Sequence, residues 1–153
     1  MTSLADLHRA VQDTIASKRL GRPVFVRYTL QGTDKPGVPL LAMLVATVRS
    51  WMSQPLVRLY AIGTLESGQV SLTLHFRDGA TALVTYALGM PRGNGVDLIV
   101  VGNRGAMYHD AGSASFWDEA ALREGPKDAT MQAAIERALR SGKPELIAAE
   151  GQP

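Results

Sequence analysis

A strand–turn–strand unit in the middle of the chain most constrains its fold. Apolar and polar side chains alternate along residues 70–76 and 82–88, which is the pattern of a strand with one buried face. Between them, Arg77-Asp78-Gly79 contains Asp-Gly, a strong signal for a hairpin turn. A two-residue turn would mix the two faces of the hairpin. A three-residue turn places on one face, which should meet the helices, Val70, Leu72, Leu74, Phe76, Ala82, Val84, Tyr86 and Leu88.

The opposite face of this hairpin is neither core-like nor fully polar. With a later strand added, it carries Ser71, Thr73, His75, Thr81, Leu83, Thr85, Ile99 and Val101. A flat, threonine-rich face with embedded aliphatic residues is suited to sheet-on-sheet packing. We therefore predict a homodimer through this face, with a merely solvated sheet face as the alternative. His75 has no evident carboxylate partner in the sequence, so an ordinary half-exposed side chain is favoured over a ligand or proton-transfer group.

The remaining pattern predicts an α+β fold. A helix starts at Ser3 and is expected to stop at Gly21 and Pro23. Strands follow near 23–30, 56–62, 96–101 and 106–109. An unusually apolar helix covers about residues 40–52, and a last helix covers 129–141 with Gly142 as its stop. Short turns between successive strands indicate a mainly antiparallel sheet of five to six strands with the helices on one face. We expect one domain over residues 1–153.

Composition excludes several classes of protein. The chain has 153 residues, a net charge of +2 and no cysteine, so disulfides and thiolate metal sites are excluded. Its basic residues are scattered, which argues against a nucleic-acid partner. No stretch approaches the ~20 apolar residues that cross a bilayer, and the N-terminus lacks the apolar core of a signal peptide. These features predict a cytoplasmic protein.

Glycines and arginines supply weaker candidates. The loop 89–95 is glycine-rich, but a strand follows it, so it predicts a hairpin loop and not a phosphate site. Gly102 and Gly105 are expected at left-handed backbone positions. Arg27 and Arg49 are candidates for a cleft that binds an anionic ligand, with salt bridges at the surface as the alternative.

His109 and Asp110 could form an acid–base pair. Neighbouring residues on a strand point to opposite faces, however, which argues against that pairing.

Four segments, in order, resemble the C-terminal domain of the glucose-fructose oxidoreductase/inositol dehydrogenase/MocA family. They are Ala16-Ser-Lys-Arg-Leu-Gly-Arg-Pro-Val-Phe-Val-Arg27, the hairpin block 68–88, the "Val-Gly-x-x-Gly-x-x-x-x-Asp" run that ends at Asp110, and the Ser-Gly-Lys-Pro ending at Pro144. Lys18 stands where that family commonly has glycine. The resemblance implies an α/β domain like that of dihydrodipicolinate reductase. It also implies oligomerisation through the open sheet face, and NAD(P) bound by a separate Rossmann domain that this chain is expected to lack.

The apolar helix departs from the family at its catalytic positions. Catalytic members carry a motif like Gly-Gly-x-Leu-x-Asp-x-Gly-x-His-x-x-Asp, aligned here with residues 37–49. Ala42 stands at the first Asp position, Ala46 at the His position and Arg49 at the second Asp position. Alanine cannot transfer a proton and arginine stays protonated, so general acid–base chemistry is not expected on this helix. We predict no catalytic, cofactor-binding or metal-binding residues.

Three functions follow as hypotheses. The first is a non-catalytic, stand-alone domain that acts as a homodimeric interaction or scaffold protein. The second is one subunit of a split oxidoreductase, with a separate Rossmann-domain protein that supplies NAD(P). The third is a small-molecule binding module that uses the cleft at Arg27 and Arg49.

Overall fold

The fold is a mixed sheet with helices on one side. The computed structural model describes residues 2–89, 95–109, 115–116 and 128–147. Its elements in chain order are β1 (Thr2–Ser3), α1 (Leu4–Ala16), β2 (Pro23–Gly32), α2 (Val38–Trp51), β3 (Leu56–Thr64), β4 (Gln69–Phe76), β5 (Thr81–Leu88), β6 (Gly95–Gly102), β7 (Ala106–His109), β8 (Ser115–Phe116), α3 (Ala129–Ser141) and β9 (Glu145–Leu146).

The main sheet has seven strands in the order β7-β6-β2-β5-β4-β3-β9. All of its pairs are antiparallel except β2–β5, which is parallel. The α+β class and the mainly antiparallel sheet are confirmed, and the sheet is slightly larger than the five to six strands expected. The parallel pair was not predicted, because β2 and β5 are neighbours in the sheet although β3 and β4 lie between them in the sequence. A small second sheet pairs β1 with β8 in parallel.

The β4–β5 turn has the three-residue form. The Phe76 amide donates to the Ala80 carbonyl at 2.9 Å, so the loop consists of Arg77, Asp78 and Gly79. The Gly79 amide donates back to the Phe76 carbonyl at 3.0 Å, and Gly79 itself has φ +88. This is a turn followed by a left-handed residue, the usual three-residue hairpin. It sets the register that separates the two faces as predicted.

The core lies between the sheet and the helices. Along β4 and β5, every second residue is buried, and the same alternation continues in β2 and β6. Apolar residues of all three described helices join these side chains in one cluster. The prediction that the helices gather on one face is therefore confirmed, and the other face of the sheet is left uncovered by them.

The helix ends follow the local sequence. The Ser3 side chain caps α1 by accepting from the Asp6 amide, and Asp128 caps α3 by accepting from the Met131 amide. Gly142 ends α3 in the left-handed conformation. Helix α3 matches its predicted bounds, and α1 starts where Ser3 predicted, because these signals are local. The predicted stop of α1 at Gly21 and Pro23 is wrong: α1 ends at Ala16, since Lys18 already takes the left-handed conformation that ends a helix.

Helix α2 is buried over most of its circumference. Pro39 lies in its first turn, where the missing N–H costs nothing. Eight of its fourteen residues are buried: Val38, Leu40, Leu41, Ala42, Leu44, Val45, Val48 and Trp51. The loop that leads into α2 is fixed by the Tyr86 hydroxyl, which donates to the Asp34 carbonyl. None of the described helices is long and apolar enough to span a membrane.

The prediction that Gly102 and Gly105 take positive φ is wrong. The described glycines with positive φ are Gly21, Gly63, Gly68, Gly79 and Gly142. Most of the loop 89–95 lies outside the described residues. So does Asp110, and the pairing considered for it stays untested.

Candidate functional site

The predicted interface residues of β4 and β5 share the uncovered face. The register pairs Ser71 with Thr85, Thr73 with Leu83 and His75 with Thr81. All six side chains are half-buried, whereas their neighbours along each strand are buried against the helices. We call this surface the open face. The structure therefore brings together the residues that the alternating pattern had grouped.

Strands β2 and β6 extend the open face to one side. Arg27 lies opposite Leu83 on β5 and opposite Ile99 on β6, while Phe25 lies opposite Val101. Paired residues on adjacent strands point to the same face. Arg27 thus lies near the centre of the open face, between two aliphatic side chains. One row crosses six strands and consists of Tyr108, Ile99, Arg27, Leu83, Thr73 and Tyr60.

Exposed apolar side chains are concentrated on this face. Among the described residues, the large hydrophobic side chains that are exposed are Ile62 (57%), Tyr108 (74%) and Leu146 (80%). The register pairs Ile62 with Ser71, Tyr108 with Ile99, and Leu146 with Arg58. Their partners all lie on the open face, so these three side chains border it. Exposed apolar residues that cluster in this way are typical of interaction surfaces.

The charges on the open face are mostly positive. Arg27 and Arg58 are exposed, and His75 lies opposite Arg58 on the neighbouring strand. Partial burial lowers the pKa of His75, and the nearby Arg58 guanidinium lowers it further. His75 is therefore a neutral, half-exposed side chain at neutral pH. Asp97 supplies a negative charge, two residues from Ile99 on β6.

The structure does not bring Arg27 and Arg49 together, so the cleft suggested between them is not formed. Arg27 lies between Val26 and Tyr28, which are both buried on the helix side, and so it points away from the helices. Arg49 lies on α2, on the other side of the sheet. The sequence could not show this because the two arginines belong to different elements, whose relative placement depends on tertiary packing.

A depression of about 490 Å³ adjoins Arg49 at the end of α2. Polar residues dominate its lining, together with Ala46, Pro55 and Leu56: Arg49, Ser50, Ser53, Gln54 and Asp128. The carboxylate of Asp128 already accepts a hydrogen bond from the Met131 amide. Ala46 is exposed there, but Ala42 is only 3% exposed. The two alanines at the family-like catalytic positions thus occupy different environments, one open to solvent and one in the core.

An aromatic cluster that was not predicted from the sequence lies beneath the sheet. The Nε2 atom of His8 lies 2.7 Å from the Tyr28 hydroxyl, and both rings contact Trp51, with centroids 5.6 and 6.0 Å away. Burial lowers the pKa of His8 to about 4 and raises the pKa of Tyr28 above its ordinary value. Neutral His8 is therefore part of the packing between α1, β2 and α2.

A signal for His8 was present in the sequence. Leu4, Leu7, His8 and Val11 recur at helical spacing, so His8 lies beside the apolar stripe of α1. The Trp51 indole nitrogen in the same cluster is buried without a hydrogen-bond partner in the structure described. Across the described ranges, no group of three or more His, Asp or Glu side chains could hold a metal ion.

Comparison with solved structures identifies the fold. The chain is similar to scyllo-inositol dehydrogenase from Lactobacillus casei, solved with NAD(H) and scyllo-inositol, with a TM-score of 0.68 and 10% identity. It is similar to myo-inositol dehydrogenase from Corynebacterium glutamicum, with a TM-score of 0.67 and 13% identity. A third similar structure is myo-inositol dehydrogenase from Lactobacillus casei, solved with NAD(H) and myo-inositol, with a TM-score of 0.66 and 15% identity. No family model and no curated protein matches the sequence.

These matches cover most of this chain but only part of the dehydrogenases. The scyllo-inositol dehydrogenase and the Corynebacterium glutamicum enzyme each match 92% of this chain with 61% of their own. The myo-inositol dehydrogenase from Lactobacillus casei matches 95% of this chain with 60% of its own. The chain therefore has the fold of a portion of an inositol dehydrogenase, as the resemblance implied, and this is consistent with a domain like their C-terminal one. The likeness shows the fold, not the activity.

Proposed function

We propose that this chain functions as an oligomerisation domain that forms a homodimer through its open face. The observation that carries the proposal is the location of Ile62, Tyr108 and Leu146, the exposed large hydrophobic residues of the described structure, around that one face. Leu83 and Ile99 lie between them, on either side of Arg27. A second copy of the same surface would remove all of these apolar side chains from water.

The size of the open face is adequate for a specific interface. It spans six strands, or roughly 24 Å at ~4.8 Å for each spacing, and about 20 Å along the strands at ~3.3 Å for each residue. This gives a flat area of roughly 500 Å² on each copy, to which the relief of the side chains adds. Two copies would bury about 1,000 Å² or more in total, the lower limit for a specific protein–protein interface.

Charge placement limits how two copies can stack. Two arginines at position 27 would repel each other if they met directly across a two-fold axis. Arg27 lies opposite Ile99 on β6, and Asp97 lies two residues further along that strand. A two-fold axis that passes between Arg27 and Asp97 would place each Arg27 opposite Asp97 of the second copy. Two sheets stacked face to face at ~10 Å, with strand directions rotated by about 30°, fit such an offset.

The test is the oligomeric state of matched glutamate variants. We expect the native chain to be a dimer at tens of micromolar in size-exclusion chromatography with light scattering. The L83E variant places a charge from each copy in a dehydrated contact, which costs several kcal/mol, enough to dissociate a micromolar dimer. The control is L139E, because Leu139 is a half-buried leucine on α3, away from the open face.

The outcomes are distinct. A monomeric L83E with a dimeric L139E supports the interface. A native chain that is monomeric at tens of micromolar contradicts the proposal, and so does a dimer that survives in L83E. Circular dichroism on each variant shows whether the fold itself is retained.

A second candidate function is that of one subunit of a split NAD(P)-dependent oxidoreductase. It is favoured by the similarity to two structures that contain NAD(H) and an inositol, of which this chain spans 61% and 60%. Ala42 and Ala46 at the expected catalytic positions weigh against it. Affinity purification from native cells tests this candidate, because a Rossmann-domain protein in constant ratio to the chain would support it. A chain recovered only with copies of itself would favour the homodimer.

A further inference from the structure

Two turns at one end of the sheet are joined backbone to backbone. The α1–β2 turn covers residues 17–22, and the β6–β7 turn covers residues 103–105. The Asn103 amide donates to the Arg22 carbonyl at 3.0 Å, and the Arg104 amide donates to the Leu20 carbonyl at 2.9 Å. In return, the Arg22 amide donates to the Asn103 side-chain oxygen at 2.8 Å. These bonds hold the two turns in a fixed relative position.

Two glycines make this contact possible. A Cβ atom on Gly21 would lie 2.0 Å from the Asn103 side-chain oxygen, and one on Gly102 would lie 2.0 Å from the Leu20 carbonyl oxygen. Neither distance is tolerable for a carbon atom. A side chain at position 102 would push the turns apart, and one at position 21 would displace the Asn103 side chain that accepts from the Arg22 amide. This close approach is the structural role of Gly102, in place of the left-handed conformation expected for it. As a result, basic residues of both turns come together.

The basic residues surround a pocket of about 530 Å³. Lys18 and Arg22 reach it from the first turn and Arg104 from the second, and Ile15 supplies apolar lining. Arg22 also faces Asp78, with a guanidinium nitrogen 3.8 Å from a carboxylate oxygen, which is a weak ion pair for an exposed side chain. Among the residues that the structure describes, no carboxylate pairs with Lys18 or Arg104. The pocket therefore has an excess of positive charge.

The backbone of Lys18 indicates a reason for its presence. Lys18 has φ +62, the one positive-φ residue other than glycine in the described structure. It follows the C-cap residue of α1, a position where helices commonly place glycine because the left-handed conformation strains a Cβ. Strained residues of this kind are concentrated at binding and catalytic sites. A lysine at position 18, where glycine would be less strained, places its ammonium group at the pocket.

We propose that this pocket binds the phosphate group of a small phosphorylated molecule. Three cationic side chains on a fixed platform can donate several charge-assisted hydrogen bonds to a dianion, and arginine matches the geometry of phosphate oxygens. A monoanionic carboxylate would balance less of the positive charge. The site is separate from the open face, so it does not depend on the homodimer.

The test is calorimetric titration of the native chain at low ionic strength with inorganic phosphate and with pyrophosphate. We expect saturable binding of one anion per chain that weakens as salt is added. Loss of one charge-assisted contact, in K18G or R104Q, should weaken binding about tenfold. K18G should also raise the melting temperature, because glycine relieves the positive-φ strain. R140Q removes the same charge from an exposed position on α3 and should bind as the native chain does.

Three results would overturn the site. One is the absence of saturable binding of either anion by the native chain. Another is an equal loss of binding in R140Q, which would mean that net charge alone attracts the anions. The third is native affinity in both K18G and R104Q. Because K18G is expected to be more stable than the native chain, weakened binding in that variant cannot be attributed to misfolding.

Discussion

The neutral histidine beneath the sheet predicts how stability depends on pH. The folded chain holds the pKa of His8 at about 4, whereas an unfolded chain has a histidine pKa of about 6.5. The unfolded state therefore binds more protons between these two values, and the free energy of unfolding falls as the pH is lowered through that window. Above pH 6.5, both states carry a neutral ring and the effect disappears.

The magnitude follows from the two pKa values. Linkage gives a loss of about 2 kcal/mol between pH 7 and pH 5, since each pKa unit corresponds to 1.36 kcal/mol. Part of the His8 ring remains open to solvent, which reduces the expected loss to about 1–2 kcal/mol. This is a large change for a domain whose total stability is typically 5–15 kcal/mol.

Urea unfolding at pH 7, 6 and 5 measures the effect, and H8Q is the control. A glutamine amide can occupy about the same position as Nε2 and keep a partner for the Tyr28 hydroxyl, but it does not titrate in this range. His75 and His109 are present in both chains, so their contributions cancel in the difference. We expect the native chain to lose about 1–2 kcal/mol more than H8Q. Equal slopes for the two chains would refute the reasoning.

Two further predictions concern single backbone and core positions. G102A should destabilise the chain by about 2–4 kcal/mol in thermal or urea unfolding, because its Cβ would lie 2.0 Å from the Leu20 carbonyl oxygen. G105A is the control, since its nearest contact would be an ordinary 3.5 Å, and similar losses in both would contradict the argument. A42D should cost about 1–3 kcal/mol by burying an unpaired polar group, whereas A46D at an exposed position should change stability by less than ~0.5 kcal/mol. Equal effects of the two aspartates would show that this part of α2 is not packed as described.

Local signals predicted the parts of the fold that depend on neighbouring residues. The Asp78-Gly79 turn and the alternation around it gave the hairpin and the residues on its two faces. Ser3 gave the start of α1, and Gly142 gave the end of α3. Each of these features is determined within a few residues along the chain, so one sequence is sufficient to find it.

Features that depend on distant residues were missed or misplaced. The parallel pairing of β2 with β5, and the separation of Arg27 from Arg49 by the sheet, follow from the order of strands and not from any local pattern. The same holds for the meeting of the two turns at Gly21 and Gly102, where only close packing shows why glycine is needed. For that reason, the basic pocket could not be recognised from scattered lysines and arginines.

The position of β2 also affects the order in which the chain can fold. β2 is a central strand, and both of its neighbours come much later in the chain, since Phe25 pairs with Thr81 and Val101. Strands β3, β4 and β5, in contrast, follow one another and can pair as a meander by local turns. We expect the meander to form early and β2 to dock late, because closing long loops slows folding. During synthesis, β2 would emerge from the ribosome well before either partner strand, and one of its two edges would remain unpaired until β6 had been made.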